Sequence, residues 1–297
     1  YEFVDELKEN LPPLAEITEI DTYPKEVTRE NFEIVQSSEG EKESSTIPVD
    51  TALCSDCVRE MKIKGDRREG YAFTNCTNCG ARYSAIYSLP YDREKTTMKE
   101  FPMCEECKAE YEDPMDRRFH AQTTSCPECG PGYTLYDDQK EAIGGIDEFC
   151  ELIQDGEIAV AKSWGGMHIA CRLKSIPELR EKYRREQKPF AVMMPDLETV
   201  SKYAVVERED VLTGPRRPIM IYEKKDQYRD LLDLAAPGLP TVGVMLPYTG
   251  LHHLIFEKLD LDALVMTSAN VPKEPMIIRN EEAFDLDLNY FLLHDRR

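Results

Sequence analysis

The chain has no run of about 18 apolar residues, so no helix able to cross a bilayer is expected. It opens Tyr-Glu-Phe with no basic, apolar leader, so no signal peptide is expected either. It also lacks positive charge: 37 Lys and Arg stand against 57 Asp and Glu, a net −20. The deficit is steepest before residue 54, with 4 basic and 14 acidic groups. A nucleic-acid binder needs a basic face to neutralise phosphates, so nucleic acid is not the expected partner. A small anionic substrate or a protein fits better. Cysteines suited to disulfides are nearly missing as well. Eight of the ten fall in CxxC pairs, and the other two, Cys150 and Cys171, lie in apolar surroundings. That usage points to a reducing cytoplasm.

The four pairs are Cys54/Cys57, Cys76/Cys79, Cys104/Cys107 and Cys126/Cys129. They form one unit, C-x2-C-x18-C-x2-C, used twice with 24 residues between. Two thiolates three positions apart on a tight turn hold one side of a tetrahedral ion, and a second turn completes the shell. The repeat suggests one zinc on Cys54, Cys57, Cys76 and Cys79 and another on Cys104, Cys107, Cys126 and Cys129. Spacing alone also allows an interleaved pairing. Four sulfurs close each site, so a structural role is expected. His120 is then left over as a neighbour, not a ligand. Arg117 and Arg118 could grip a partner's carboxylate or form a solvated face.

A length of 297 residues leaves room for about two domains. Residues 1–47 read as an end-piece: a short helical pattern through Phe3, Leu7 and Leu11, an alternating strand-like stretch Leu14–Ile20, a second strand near Phe32–Val35, and a polar linker over 36–46. Residues 48–135 form the two-metal module. From 136 to 297, apolar runs alternate with helical stretches. A helix is expected over Ile146–Gln154 with Gly156 as its left-handed stop. Strands are expected at Ile158–Ala161, His168–Cys171, Phe190–Met194, Pro218–Tyr222, Val242–Leu246, Leu264–Met266 and Tyr290–Leu293. Helices near 177–187, 196–204, 249–258 and 280–286 separate several of these. This is an α/β (α+β) pattern around a twisted, mainly buried sheet, whose ligands bind where loops leave strand ends.

Four stretches there carry candidate chemistry. In the loop from Lys162 to His168, Gly165 and Gly166 permit close backbone approach and Lys162 can meet an anion. The run Lys182, Arg184, Arg185 and Lys188 concentrates cations before a strand and suits phosphate. His252 and His253 open a helix, and one of them must face inward. Thr267, Ser268 and Asn270 end a strand with groups suited to ribose or phosphate. Each also has a plainer reading as a turn, a solvated helix face or a core histidine.

Together with these, several stretches resemble HypF-type carbamoyltransferases, which serve nickel–iron hydrogenase maturation. They are Asn75-Cys-Thr-Asn-Cys-Gly, Leu89-Pro-Tyr-Asp-Arg-Glu-Lys-Thr-Thr-Met, Asp116-Arg-Arg-Phe-His-Ala-Gln, Cys126-Pro-Glu-Cys-Gly-Pro, Lys188-Pro-Phe-Ala-Val-Met, Gly243-Val-Met-Leu-Pro-Tyr-Thr, Leu251-His-His-Leu, Val265-Met-Thr-Ser-Ala-Asn and Leu293-His-Asp-Arg. Leu11-Pro-Pro-Leu-Ala resembles the tail of the acylphosphatase-like domain that precedes the fingers in that family.

The resemblance implies a YrdC-like adenylating domain behind a double zinc finger and an acylphosphatase remnant. It implies ATP and Mg2+ beside two structural Zn2+ ions, and carbamate derived from carbamoyl phosphate as substrate. The product would be carbamoyl-adenylate, passed on by a further domain to the C-terminal cysteine of a HypE-type partner. Lys162, Arg185 and Lys188 would neutralise phosphates, assisted by Lys182 or Arg184. Gly165, Gly166 and His168 would line the adenylate, with His252 nearby, and Thr267, Ser268 and Asn270 would hold the nucleotide. The chain departs from the family pattern at Ser163, Trp164, Met167 and Tyr183, which bear on pocket shape and triphosphate grip. Two other readings are a threonylcarbamoyl-adenylate synthase for tRNA modification, and a non-enzymatic, DnaJ-like zinc interaction module.

Overall fold

The computed structural model describes residues 2–24, 47–183, 187–270 and 274–297. The chain first forms a helix, Glu2–Glu9, and then an extended, exposed segment. Leu14–Ile20 alternates in sequence but is not a strand. An alternating stretch becomes a strand only beside a partner, and this one pairs with no strand among the described residues. The expected strand near Phe32–Val35 and the linker lie outside the described residues.

The finger module is built mostly of turns, with short helices at Ser55–Lys62 and Glu105–Glu112. Each helix starts directly after the first cysteine of its unit and carries the second on its buried side, Cys57 and Cys107.

At Tyr133 the chain enters a ten-stranded mixed sheet. Its strands are β1 Tyr133–Asp137, β2 Ala142–Gly144, β3 Ala159–Lys162, β4 Met167–Arg172, β5 Val192–Met193, β6 Ala204–Val205, β7 Met220–Lys224, β8 Thr241–Met245, β9 Leu264–Ser268 and β10 Tyr290–His294. The order across the sheet is β2-β1-β10-β3-β4-β9-β5-β8-β7-β6. Only β10/β3 and β5/β8 run parallel among the paired strands. All seven expected strands are present, with ends shifted by a residue or two. β1, β2 and β6 were not foreseen.

Alternation on the central strands divides the core between the two faces. Val160, Ile169, Cys171, Val192, Val244, Val265 and Leu293 point to one side, against the helices Ile176–Tyr183 and Leu197–Tyr203 through Leu179 and Val200. Ala159, Ala161, Ala170, Met193, Leu264, Met266 and Leu292 point to the other. There they meet helices Ile146–Asp155 and Gly250–Lys258 and, in the same cluster, Leu53, Tyr71 and Phe73 of the finger module. The small alanines of β3 and β4 leave room for those rings. The first finger unit thus shares a core with the sheet.

Helix Ile146–Asp155 stops as expected. Gly156 takes φ +106°, and its N–H reaches the Leu152 and Ile153 carbonyls at 3.1 Å. Glu157 N–H closes the motif on Leu152 at 2.9 Å.

On the far side of the sheet, Lys224 is 2% exposed and donates to Asp233 and to the Ala236 carbonyl, each at 2.6 Å. Replacing Asp233 with Ala leaves this buried ammonium one acceptor. The expected cost is about 2 kcal/mol, moderated because Asp233 itself is partly exposed. Urea melts of Asp233→Ala and Lys224→Met measure it, and the charge-free Met variant should lose less.

Candidate functional site

The eight cysteines gather into two clusters. In the first, sulfur–sulfur distances are 3.8 Å for Cys54–Cys76, 3.7 Å for Cys76–Cys79 and 3.4 Å for Cys57–Cys79. In the second they are 3.7 Å for Cys104–Cys126, 3.7 Å for Cys126–Cys129 and 3.6 Å for Cys107–Cys129. A tetrahedron with zinc–sulfur bonds of about 2.3 Å has edges of about 3.8 Å. Both donor sets therefore fit zinc, and pairing follows each unit rather than interleaving. With four thiolates per ion no position is left for a substrate, so the ion would supply a cross-link and no chemistry. His120 is no ligand. Its ring packs on Tyr111 and Phe119, with centroids 4.7 and 4.6 Å away. Arg117 and Arg118 are not simply a solvated face: both bind Glu60 within the module. Cys150 and Cys171 are buried, and burial pushes each thiol up to about 12, which leaves them unreactive at neutral pH.

The second feature is a cavity of about 760 Å3 at the seam between fingers and sheet. Lys162, Trp164, Gly165 and Gly166 form one wall; Arg279, Asn280, Glu281, Asp295, Arg296 and Arg297 form another; Asp50, Tyr83, Ser84 and Tyr87 close it from the finger side. Asp50 shapes that last wall by accepting from the N–H groups of Arg82 and Ser84 at 2.6 and 3.1 Å.

Lys162 ends β3 and is 5% exposed. Its ammonium donates to Asn280 Oδ1 at 2.7 Å and to the carbonyls of His294 and Arg296 at 3.2 and 2.7 Å. All three of its N–H bonds are therefore engaged. Arg296, 1% exposed, donates to the Trp164 carbonyl at 2.7 Å. Among the described residues neither cation forms an ion pair, and Arg296 Nε has no partner. Asp50, Glu281 and Asp295 share the cavity wall and offset part of this charge through space, so two buried cations stand in a wall of mixed sign. Burial and then the charge of Arg296 lower the Lys162 pKa to about 8. Its folded value lies below the usual lysine value of 10.5, so folding favours the neutral amine. This contribution is constant below about pH 8 and grows as pH rises from about 8 to 10.5. Thermal melts across that range should show a rising segment in the native chain that Lys162→Met lacks.

From Trp164 a chain of rings runs inward: Tyr248 at 6.4 Å, His252 a further 4.5 Å on, and His168 6.3 Å beyond. His252 is 0% exposed. Among the described residues neither of its ring nitrogens has a partner, nor has Nδ1 of His168. Burial lowers His168 to about 4, and burial followed by the neighbouring His168 and His253 holds His252 well below the usual histidine range, so both rings are neutral at pH 7. His253, partly exposed, is the one that turns away from the core, although its pKa too falls to about 4.

His168 stands opposite Ser268 across the β4/β9 ladder. The glycine turn and the Thr267–Asn270 turn therefore lie at one end of the sheet. Backbone bonds lock them together: Ala269 N–H to Met167 O at 2.9 Å, Met167 N–H to Ile277 O at 3.0 Å, and Ile277 N–H to Ala269 O at 2.9 Å. Ser268 Oγ and Asn270 Oδ1 are 2.9 Å apart. Gly166 takes φ +155°, and an added Cβ would meet the Met276 side chain at 2.4 Å. β5 runs antiparallel to β9, which brings the segment after Lys188 to the same end, with Met266 N–H facing Ala191 O at 3.4 Å. Lys182 and Lys188 are exposed, whereas Arg184 and Arg185 lie outside the described residues. The structure thus gathers the glycine loop, His168, His252, Thr267, Ser268 and Asn270, but only Lys162, Gly165 and Gly166 line the cavity itself. Sequence reasoning missed Arg296, Asn280 and the finger wall. Arg296 belonged to a motif already noted, Leu293-His-Asp-Arg, but nothing local marked it as buried.

A mixed sheet with a glycine turn, a Ser-Ala-Asn strand end and a seam holding buried Lys162 and Arg296, behind two four-cysteine clusters, defines a YrdC-like domain carrying a metal-stapled finger module. Comparison with known proteins agrees. The Sua5/YciO/YrdC family, described as telomere recombination, matches residues 151–296, and the HypF finger matches residues 53–86 and 103–136. The chain is 44% identical over 311 residues to a probable carbamoyltransferase HypF of Methanocaldococcus jannaschii, covering 99% of this chain and 40% of that protein. It is 40% identical over 306 residues to the carbamoyltransferase HypF of Rhodobacter capsulatus, with the same coverage. The crystal structure of T. kodakarensis HypF superposes with a TM-score of 0.85 at 44% identity, over 100% of this chain and 39% of that one. Full-length HypF in a phosphate- and nucleotide-bound form gives 0.90 at 42%, over 99% and 40%. The chain belongs to the HypF family, and it spans about 40% of the length of the curated relatives it matches.

Proposed function

We propose that this chain carries the adenylating step of a HypF carbamoyltransferase, forming carbamoyl-adenylate and pyrophosphate from carbamate and ATP. The observation that carries the reading is the convergence, at one end of the sheet, of the glycine loop after Lys162 with the Ser268–Asn270 turn. The segment from Lys188 and the buried Lys162/Arg296 pair complete the end. A relative solved with phosphate and nucleotide bound supports it. In the step, a carbamate oxygen attacks the α-phosphorus and pyrophosphate leaves. Such a transfer depends on positioning and on neutralising phosphate charge more than on a strong base.

In this reading Lys188, Lys182, Arg184 and Arg185 neutralise the phosphates, and Mg2+ bound with the nucleotide would add to that neutralisation. Thr267, Ser268 and Asn270 hold the nucleotide. Gly165 and Gly166 let backbone approach the adenylate. Lys162 and Arg296 set a positive potential at the cavity wall, and neutral His168 and His252 present one donor and one acceptor each. Carbamoyl transfer to a HypE-type cysteine, the supply of carbamate from carbamoyl phosphate and a cytoplasmic setting are part of the proposal. The finger matches favour this reading over a threonylcarbamoyl-adenylate synthase.

Lys188→Ala and Asn270→Ala are each expected to weaken ATP binding by tenfold or more, about 1.4 kcal/mol, with unchanged thermal unfolding. Calorimetric titration checks this. Native affinity in both variants would move the nucleotide away from this end of the sheet.

A further inference from the structure

Each cysteine cluster is touched by an arginine that belongs to the other. The finger is one unit repeated at a constant offset, so that Cys57, Glu60, Asp66, Arg67 and Arg68 return as Cys107, Glu110, Asp116, Arg117 and Arg118. The local turn repeats as well. Asp66 accepts from the Arg68 N–H at 2.8 Å and Asp116 from the Arg118 N–H at 2.7 Å. Gly70 N–H closes on Met61 O at 2.9 Å and His120 N–H on Tyr111 O at 3.0 Å, with both residues left-handed at φ +66° and +53°.

This shared turn throws the arginines across to the opposite unit. Arg67 Nη2 donates to Cys107 Sγ at 3.0 Å and to Glu110 at 3.1 Å, while Nη1 reaches Glu106 at 2.9 Å and Cys104 Sγ at 3.9 Å. Arg117 Nη1 donates to Cys57 Sγ at 3.0 Å and its Nη2 to Glu60. Between them, buried Arg68 donates to Glu110 at 3.0 and 2.6 Å and stands 3.9 Å from Glu60. Arg118, likewise buried, binds Glu60 and stands 4.0 Å from Glu110. Four arginines and three glutamates join the clusters into one charged network.

A zinc ion on four thiolates carries a net charge of −2, and a guanidinium donating to one sulfur both offsets that charge and fixes the sulfur's position. We infer that the two metal centres are reciprocally latched. Arg117 of the second unit retains the ion of the first, Arg67 of the first retains the ion of the second, and loss of either ion speeds loss of the other. The inference rests on the clusters being zinc sites. Arg67 and Arg117 are positioning residues, and their partial exposure lets them be changed without emptying the buried Arg68/Arg118 core.

The test uses the full chain. Elemental analysis first establishes two zinc ions per chain. Zinc release to a chromophoric chelator is then followed together with mass-spectrometric mapping of cysteine alkylation. Arg117→Gln should speed alkylation of Cys54, Cys57, Cys76 and Cys79 by about 10- to 100-fold, with a smaller effect on the second cluster. Arg67→Gln should do the reverse. Cys129→Ser, which disables the second site, should speed loss at the first, and Arg117→Lys should restore part of the native rate. Release that speeds more at the arginine's own unit than at the opposite one, or native rates at the opposite cluster, would overturn the latch while leaving the metal reading intact. Absence of stoichiometric zinc would remove both.

Discussion

Removing zinc from this chain is expected to unfold the second finger unit first and most completely. The helix Glu105–Glu112 has one buried residue, Cys107, and residues 103–130 contribute nothing to the two main apolar clusters. What encloses that unit is its own thiolates and the arginine network. Structural zinc in isolated finger peptides contributes about 10–16 kcal/mol near pH 7, more than a segment with so little apolar burial can replace. The first unit differs, because Leu53, Cys57, Met61, Tyr71 and Phe73 share a core with Trp164, Leu251 and Leu254 of the sheet domain. Hydrogen exchange after chelation should therefore show residues 103–130 at unprotected rates and residues 53–80 partly protected. The central strands β3, β4 and β9 should remain nearly unchanged. Uniform loss across both units would mean that the seam with the sheet adds little.

Gly250→Ala is expected to have the second large effect. Gly250 is the first residue of helix Gly250–Lys258 and lies against the finger backbone. A Cβ there would stand 2.2 Å from the Ala72 carbonyl oxygen and 2.7 Å from its carbon. Neither is the movable end of a side chain. The helix would have to withdraw from the fingers, stretching the backbone bonds from Leu53 N–H to Tyr248 O at 3.1 Å and from Ala52 N–H to Pro215 O at 2.8 Å. Overpacking in cores costs about 1–3 kcal/mol, and a clash with fixed backbone belongs at the upper end or beyond, at about 3 kcal/mol or more. Because Tyr248 and His252 flank this point, nucleotide affinity should fall with stability. Gly132→Ala, where a Cβ meets nothing within 4 Å, is the control and should be close to neutral by thermal melt. Equal melting of the two variants would show that the seam can open without cost.

What could be read from the sequence was local. The CxxC spacing marked both ion sites, since a metal-binding turn needs only residues three positions apart. The Asp155-Gly156 stop and the buried strands showed themselves through a left-handed glycine and unbroken apolar runs. What could not be read depends on distant partners. β1 is defined by β10, which pairs with it from the other end of the chain. Arg117 could be read as a solvated charge or a grip on a partner, and Arg67 carried no local signal, because the acceptors of both lie in the opposite repeat. Lys162 was rightly noted as a cation after a strand, but its engagement by Asn280, His294 and Arg296 comes from residues more than a hundred positions on. Leu14–Ile20 shows the converse: alternation without a neighbouring strand stays extended and exposed.

The proposed adenylation is tested most directly by exchange of labelled pyrophosphate into ATP, catalysed by this chain with Mg2+. Exchange that requires carbamate and is indifferent to threonine is the predicted result, and Asn270→Ala should abolish it. Exchange that requires threonine with bicarbonate, or none with carbamate while ATP stays bound, would contradict it.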